Sequence, residues 1–316
     1  MTDATAPSRT ASAAASTTST VYLDRLAARS QAVGTVLCLG LDPDPAALPA
    51  GFSADLRGVE AFARLVLEAA GPHAAAVKPN LAFFEAFGSD GIAALERIRA
   101  AVPAGLLVVM DAKRGDIGST AARQAVALFD ALGADAITVS PYLGGEAIEP
   151  LLERSGRFAY VLCRTSNPGA SELQGLQVAA DAAAGFPEEP LHARVARRAA
   201  NWGPGGTVGL VVGATAPVEL AEIRAIAPGL TFLVPGVGAQ GGDVAAVLAH
   251  GRASAPPAAA RPGGGLLVNV SRGIAGAARA GATGDAAARG PGTAPELGEA
   301  IAAAARDWAA RLPVLP

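Results

Sequence analysis

Lys78 and Lys113 are the only two lysines in a chain of 316 residues, against 23 arginines. Arginine has taken nearly every other basic position, as GC-rich coding tends to produce, and chance survival of two lysines is the plain alternative. An ammonium, unlike a guanidinium, is a compact point charge that can give up its proton. Each lysine follows a short apolar run, and Lys113 sits in Asp111-Ala-Lys113-Arg-Gly-Asp116, an acid–base–acid cluster at the end of Leu106–Met110.

Asp111 and Lys113 are two positions apart, so on an extended segment they project to one side. A lysine held among carboxylates stays protonated, because neighbouring negative charge favours the ammonium form. Such a lysine is a poor Schiff-base nucleophile. It is a good electrostatic partner for a carbanion, and afterwards a proton donor to it. Crowded carboxylates also disfavour an anionic substrate group relative to the transition state that loses it. The alternative is a buried ion-pair network that supports the fold.

The elements that must position these groups read as strands alternating with helices. Eight apolar runs punctuate the chain: 35–41, 74–77, 106–110, 134–139, 159–163, 208–212, 231–234 and 266–270. Most are continuous, as in strands buried on both faces of a parallel sheet. Helical spacing lies between them at 59–70, 91–101, 119–132, 191–201, 218–226 and 243–250. Eight such units predict an α/β fold of the (β/α)8 TIM barrel type, with a doubly wound open sheet as the runner-up.

In that barrel the active site forms at the C-terminal ends of the strands. The residues that follow the runs are Asp42; Lys78 and Asn80; Asp111, Lys113 and Asp116; Ser166; Pro235–Gly242; and Ser271-Arg272-Gly273. Acids and lysines therefore collect at one end of the mouth, glycines and an arginine at the other. Pro235-Gly-Val-Gly-Ala-Gln-Gly-Gly242 precedes a helix predicted to start near Asp243, so backbone N–H groups and a helix N-terminus can face a phosphate, with Arg272 adding a bidentate contact.

Other features narrow the function. The net charge is −3, with neither a nucleic-acid footprint nor a polybasic patch, and no run approaches a membrane span. Cys38 and Cys163 lie inside predicted strands and read as buried reduced thiols of a cytoplasmic protein. None of His73, His192 and His250 neighbours a triad partner or a second metal ligand. Residues 1–20 read as a disordered low-complexity tail, and 21–316 as a single catalytic barrel domain. Segments 252–265 and 281–295 read as surface insertions. The polar segment 165–186 after the fifth run reads as a loop that closes over ligand, in which Gln174 and its neighbours offer no evident anchor. Phe83 and Phe84 are expected to pack beneath the site, Glu85 to pair with an arginine, and Trp202 and Trp308 to serve packing.

The stretch Asp111-Ala-Lys-Arg-Gly-Asp-Ile-Gly-Ser-Thr120 resembles the signature of the orotidine 5′-phosphate decarboxylase family, in particular its longer bacterial subgroup. Cys38-Leu-Gly-Leu-Asp-Pro43, Val77–Glu85, Ser166-Asn-Pro-Gly-Ala170 and Pro235–Gly242 resemble it too, in the same order. The resemblance implies conversion of orotidine monophosphate to uridine monophosphate and carbon dioxide, without metal or organic cofactor. It implies a catalytic tetrad of Lys78, Asp111, Lys113 and Asp116. Lys113 would stabilise and protonate the C6 carbanion, Asp111 would face the departing carboxylate, and Lys78 would hold Asp111 and touch ribose. A homodimer is implied, in which Asp116 and Thr120 serve the neighbouring subunit's site. Asp42 would bind a ribose hydroxyl, Ser166 would read the pyrimidine, and Gln240 and Arg272 would grip the phosphate. Two rival readings differ in class: a metal-dependent aldolase or epimerase acting on a sugar phosphate, and a non-catalytic barrel that senses a nucleotide.

Overall fold

Continuous runs of Val, Leu, Ile and Ala without alternation can be satisfied only where both faces are covered, and here they are. In the computed structural model, which describes residues 20–280 and 293–316, all eight runs are strands. They are β1 (Leu37–Leu41), β2 (Ala76–Pro79), β3 (Leu107–Arg114), β4 (Ala136–Val139), β5 (Phe158–Arg164), β6 (Val208–Val212), β7 (Thr231–Val234) and β8 (Leu267–Val270). They pair in parallel in chain order, and β8 returns to β1 to close the barrel. The open doubly wound sheet is thereby excluded.

Side chains alternate between two cores. Leu39, Val77, Val108 and Ile137 face outward into the layer shared with the helices. Cys38, Ala76, Leu107, Val109, Ala136 and Phe158 fill the barrel interior, where small residues make room for the rings of Phe158 and Tyr160. Helices α2 (Leu56–Ala70), α3 (Gly88–Ala100), α4 (Gly118–Ala125), α5 (Leu191–Ala199), α6 (Pro217–Ile226) and α7 (Val244–His250) follow the expected apolar stripes. The stripe expected as one helix over 119–132 widens instead into a π turn at Val126–Ala131.

Two longer helices lie outside the repeating unit. α1 (Thr20–Val33) precedes β1 and sends Tyr22 into the N-terminal end of the barrel. There it stacks on Phe158, with centroids 4.6 Å apart, and its hydroxyl meets that of Tyr160 at 3.1 Å. The terminal helix α8 (Ala294–Arg311) starts with a capping box between Thr293 and Glu296 and packs against α2.

Segment 252–265 is not a loose insertion. It forms two short 3-10 turns, buries Ala253 and Ala258, and binds residues 228–229 through amides of Ser254, Ala255 and Ala258. Most of segment 281–295 and residues 1–19 of the expected 1–20 tail lie outside the described residues; Thr20 opens α1, and Pro295 belongs to the first turn of α8. No helix among the described residues is long and apolar enough to cross a membrane.

Candidate active site

The site begins with an irregularity in β3. Met110 pairs with Ile137 and Arg114 with Val139, so four steps along β3 match two along β4. This bulge re-aims the chain beside the barrel mouth. Within it Lys113 adopts φ +47°, the one positive φ of a non-glycine residue among those described. A side chain in that region costs on the order of 1–3 kcal/mol and persists only where its surroundings hold it. The sequence-based picture of Asp111 and Lys113 on an extended strand is therefore corrected. They face the same side because of a bulge.

Thr138 of β4 supplies the hold. Its hydroxyl accepts the amides of both Ala112 and Lys113 at 3.0 Å and donates to Asp111 Oδ1, also at 3.0 Å. Asp111 then takes Lys78 Nζ on Oδ2 at 2.7 Å and Lys113 Nζ on Oδ1 at 2.5 Å. One carboxylate thus lies between two ammonium groups. Their environments differ sharply: the Lys78 side chain is 5% exposed and that of Lys113 is 52% exposed.

Electrostatics fix the charge states of the buried pair. Burial opposes the charge on Asp111, yet Lys78 and Lys113 outweigh it and hold the carboxyl well below the usual carboxylate range. Burial likewise opposes the Lys78 ammonium, while Asp111 and then Asp42 overcome that and push its pKa above the ordinary lysine value. Cys38 lies inside the barrel, where burial pushes its thiol up to about 12, so it stays protonated and inert.

Further acceptors face the same region without partners. Asp42 Oδ1, just past β1, and Asn269 Oδ1 on β8 are both buried and unpaired among the described residues. Asn269 escaped the sequence reading because it sits inside an apolar run. Gly40 keeps this corner open, since a Cβ there would lie 2.6 Å from Ser271 Cβ and 3.1 Å from Asn269 Oδ1. Two orphaned acceptors beside a lysine suit hydroxyl donors from a ligand.

On the opposite side, Ser166 after β5 and Gln240 after β7 come together, with Oγ and Oε1 3.4 Å apart. The turn carrying Gln240 uses Gly236, Gly238 and Gly241 at φ values of +99°, +75° and +77°. It closes through Gly241 N–H to Gly238 O and Gly242 N–H to Gly236 O, leaving the Ala239 and Gln240 amides undonated among the described residues. The expected helix N-terminus is otherwise engaged, because Asp243 Oδ1 caps the Ala245 and Ala246 amides. Arg272 begins a short helix after β8 and is exposed.

Two expected site residues stand apart. Among the described residues Asp116 accepts the Ile117 amide at 2.8 Å and pairs with neither lysine. Thr120 is exposed on the first turn of α4. Segment 165–186 is better anchored than its sequence suggests. The Gln174 side chain accepts the Thr165 amide and donates to Thr165 Oγ1, both at 2.8 Å, and the Gln174 carbonyl meets His192 Nδ1 at 2.9 Å. Glu85 pairs with Arg114, as expected. Among the described residues no three His, Cys, Asp or Glu side chains gather as a metal-ligand set.

A sequence model of the orotidine 5′-phosphate decarboxylase / HUMPS family matches residues 35–287. The chain belongs to this family. Among relatives, the orotidine 5′-phosphate decarboxylase of Halorubrum lacusprofundi is 50% identical over 255 residues, covering 80% of this chain and 87% of that protein. That of Thermomicrobium roseum is 49% identical over 243 residues, covering 76% and 81%. Among solved structures, Leishmania donovani OMP decarboxylase superposes with a TM-score of 0.69 at 41% identity, covering 90% of this chain and 99% of that one. The matched residues include Lys78, Asp111, Lys113 and Thr138, so the two-lysine site lies inside the part of the chain shared with the decarboxylase family.

Proposed function

We propose that this chain is a cofactor-independent orotidine 5′-phosphate decarboxylase of pyrimidine synthesis. The observation that carries the reading is the Lys78–Asp111–Lys113 group at a barrel mouth, in a chain of the decarboxylase family. Asp111, held as an anion, faces the substrate carboxylate and disfavours it. The C6–carboxyl bond breaks heterolytically, carbon dioxide leaves, and the electron pair stays on C6. The exposed Lys113 ammonium stabilises that pair and gives it a proton, then regains one from solvent. Lys78, buried and permanently charged, fixes Asp111 and completes the ribose pocket with Asp42 and the unpaired Asn269 acceptor. Ser166 reads the pyrimidine, and Gln240, the turn amides and Arg272 hold the phosphate.

The functional unit in this reading is a homodimer in the cytoplasm. Asp116 and Thr120 sit outside their own chain's lysine group, which suits residues that serve a neighbouring subunit. Ile117, Tyr142 and Leu143 beside them are 54%, 87% and 45% exposed, an apolar surface that a second copy would cover. The buried unpaired thiols of Cys38 and Cys163 suit a reducing compartment.

The test is a spectrophotometric assay with orotidine monophosphate, no added cofactor, and EDTA present. Turnover to uridine monophosphate under these conditions is expected. Activity that vanishes with EDTA would favour a metal-dependent sugar-phosphate enzyme, and tight product binding without turnover a nucleotide sensor.

A further inference from the structure

We propose that Trp308 of the terminal helix is a positioning residue that supports both phosphate-facing turns at once. This rests on the assignment of the Gly236–Gly242 and Ser271–Gly273 turns to the phosphate end. A Cβ placed on Gly238 would lie 3.1 Å from Trp308 Cζ2 and 3.4 Å from Cη2. A Cβ placed on Gly273 would lie 2.8 Å from Nε1 and 3.2 Å from Cε2 of the same ring. One long edge of the indole therefore abuts the turn after β7 with its six-membered ring and the turn after β8 with its five-membered ring. Gly238 neighbours the Ala239 and Gln240 amides, which are undonated among the described residues, and Gly273 directly follows Arg272.

The indole is itself held. Trp308 is 7% exposed and belongs to the main core, and the Arg311 guanidinium lies 3.9 Å from its ring centroid. The two turns have no side chain of their own at the point of contact, so their separation is set by the width of the ring between them. A phosphate bound by donors from both turns needs that separation fixed. Phenylalanine cannot span it, because a six-membered ring alone lacks the Nε1 end that meets Gly273. Trp308 also lies beyond residues 35–287, the part of the chain that the family model covers.

The experiment compares full-length wild type, Trp308→Ala, Trp308→Phe and Arg272→Ala on orotidine monophosphate and on orotidine, which lacks the phosphate. For Trp308→Ala, kcat/KM on the phosphorylated substrate should fall by about tenfold or more, chiefly through KM, while that on orotidine stays within about twofold. Trp308→Phe should fall between it and wild type, and keeps the test open if the alanine variant does not fold. Equal losses on both substrates, or no loss on either, would overturn the proposal. If Arg272→Ala leaves KM for the monophosphate unchanged, the phosphate assignment itself fails. A spectroscopic readout is independent of turnover: the chain has two tryptophans, so Trp202→Phe leaves Trp308 alone. Its emission should shift on adding uridine monophosphate and not on adding uridine; identical responses to the two would overturn the role.

Discussion

Thr138 and Asp111 are joined through a single hydroxyl that also accepts two consecutive amides of the β3 bulge. A hydroxyl has one proton to donate and two lone pairs, so Thr138 has no hydrogen-bonding capacity left. The carboxylate and the backbone that carries Lys113 are thereby tied to one buried oxygen. Replacing it with the isosteric valine should leave two amides unsatisfied and destabilise the fold by on the order of 1–3 kcal/mol. Thr138→Val should also lower kcat by about 10²-fold, with a smaller effect on KM, because a small displacement of Lys113 spoils its alignment with C6. Thr138→Ser should restore most of the rate. Steady-state kinetics and thermal unfolding of the three proteins check this.

Lys113→Ala removes a half-exposed side chain whose contact is Asp111, so the fold should persist. The decarboxylation rate should fall by at least about 10⁴-fold, since both charge stabilisation and the proton donor are lost. Binding of uridine monophosphate, followed by calorimetry, should change little. Retained turnover would remove Lys113 from the mechanism.

Asp111→Asn removes the carboxylate bonded to buried Lys78 and leaves Asp42 as its other counter-charge; breaking a buried pair typically costs about 3–5 kcal/mol. The pH dependence of this loss has a definite sign. The carboxyl pKa is depressed in the folded state, so the contribution of Asp111 is complete above its ordinary value of 3.8 and is lost as the pH falls further. The Lys78 pKa is raised, so its contribution is complete below 10.5 and is lost only as the pH rises through the raised value. The Tm difference between wild type and Asp111→Asn should accordingly be flat from about pH 5 to pH 10 and shrink in stronger acid. A difference that varies steadily through neutrality would contradict the assigned charge states.

Mixing Asp116→Asn chains with Lys113→Ala chains should recover activity, because each hybrid dimer would hold one site with both wild-type residues. Neither parent should be active alone. Absence of recovery, with hybrid dimers demonstrated by mass, would place the whole site within one subunit.

Legibility varied with how a signal is written in the chain. Strands buried on both faces leave continuous apolar runs, so the barrel and the acid–lysine cluster at the end of β3 were readable directly. The bulge was not, because its hold is Thr138, one polar residue inside an apolar strand, and its partners lie 25 to 27 residues earlier. The hydroxyl acts only in three dimensions. Asn269 was hidden in the same way. The anchoring of segment 165–186 depends on one amide side chain, Gln174, turning back nine residues to Thr165, which no spacing rule announces. The helix after β7 was readable as an element, but its cap was not: Asp243 Oδ1 takes the Ala245 and Ala246 amides, a local bond that sequence spacing does not single out.

The ring of Tyr22 has a consequence for traffic. It stops the barrel at the end remote from the lysines, stacked on Phe158 and bonded to Tyr160. In the proposed reaction the gas must therefore depart by the doorway through which the nucleotide arrived, between Ser166 and Gln240 on one side and Lys113 on the other. Shielding the carbanion from bulk water and venting carbon dioxide then compete for one aperture, and any change that narrows this rim to favour the first should slow the second.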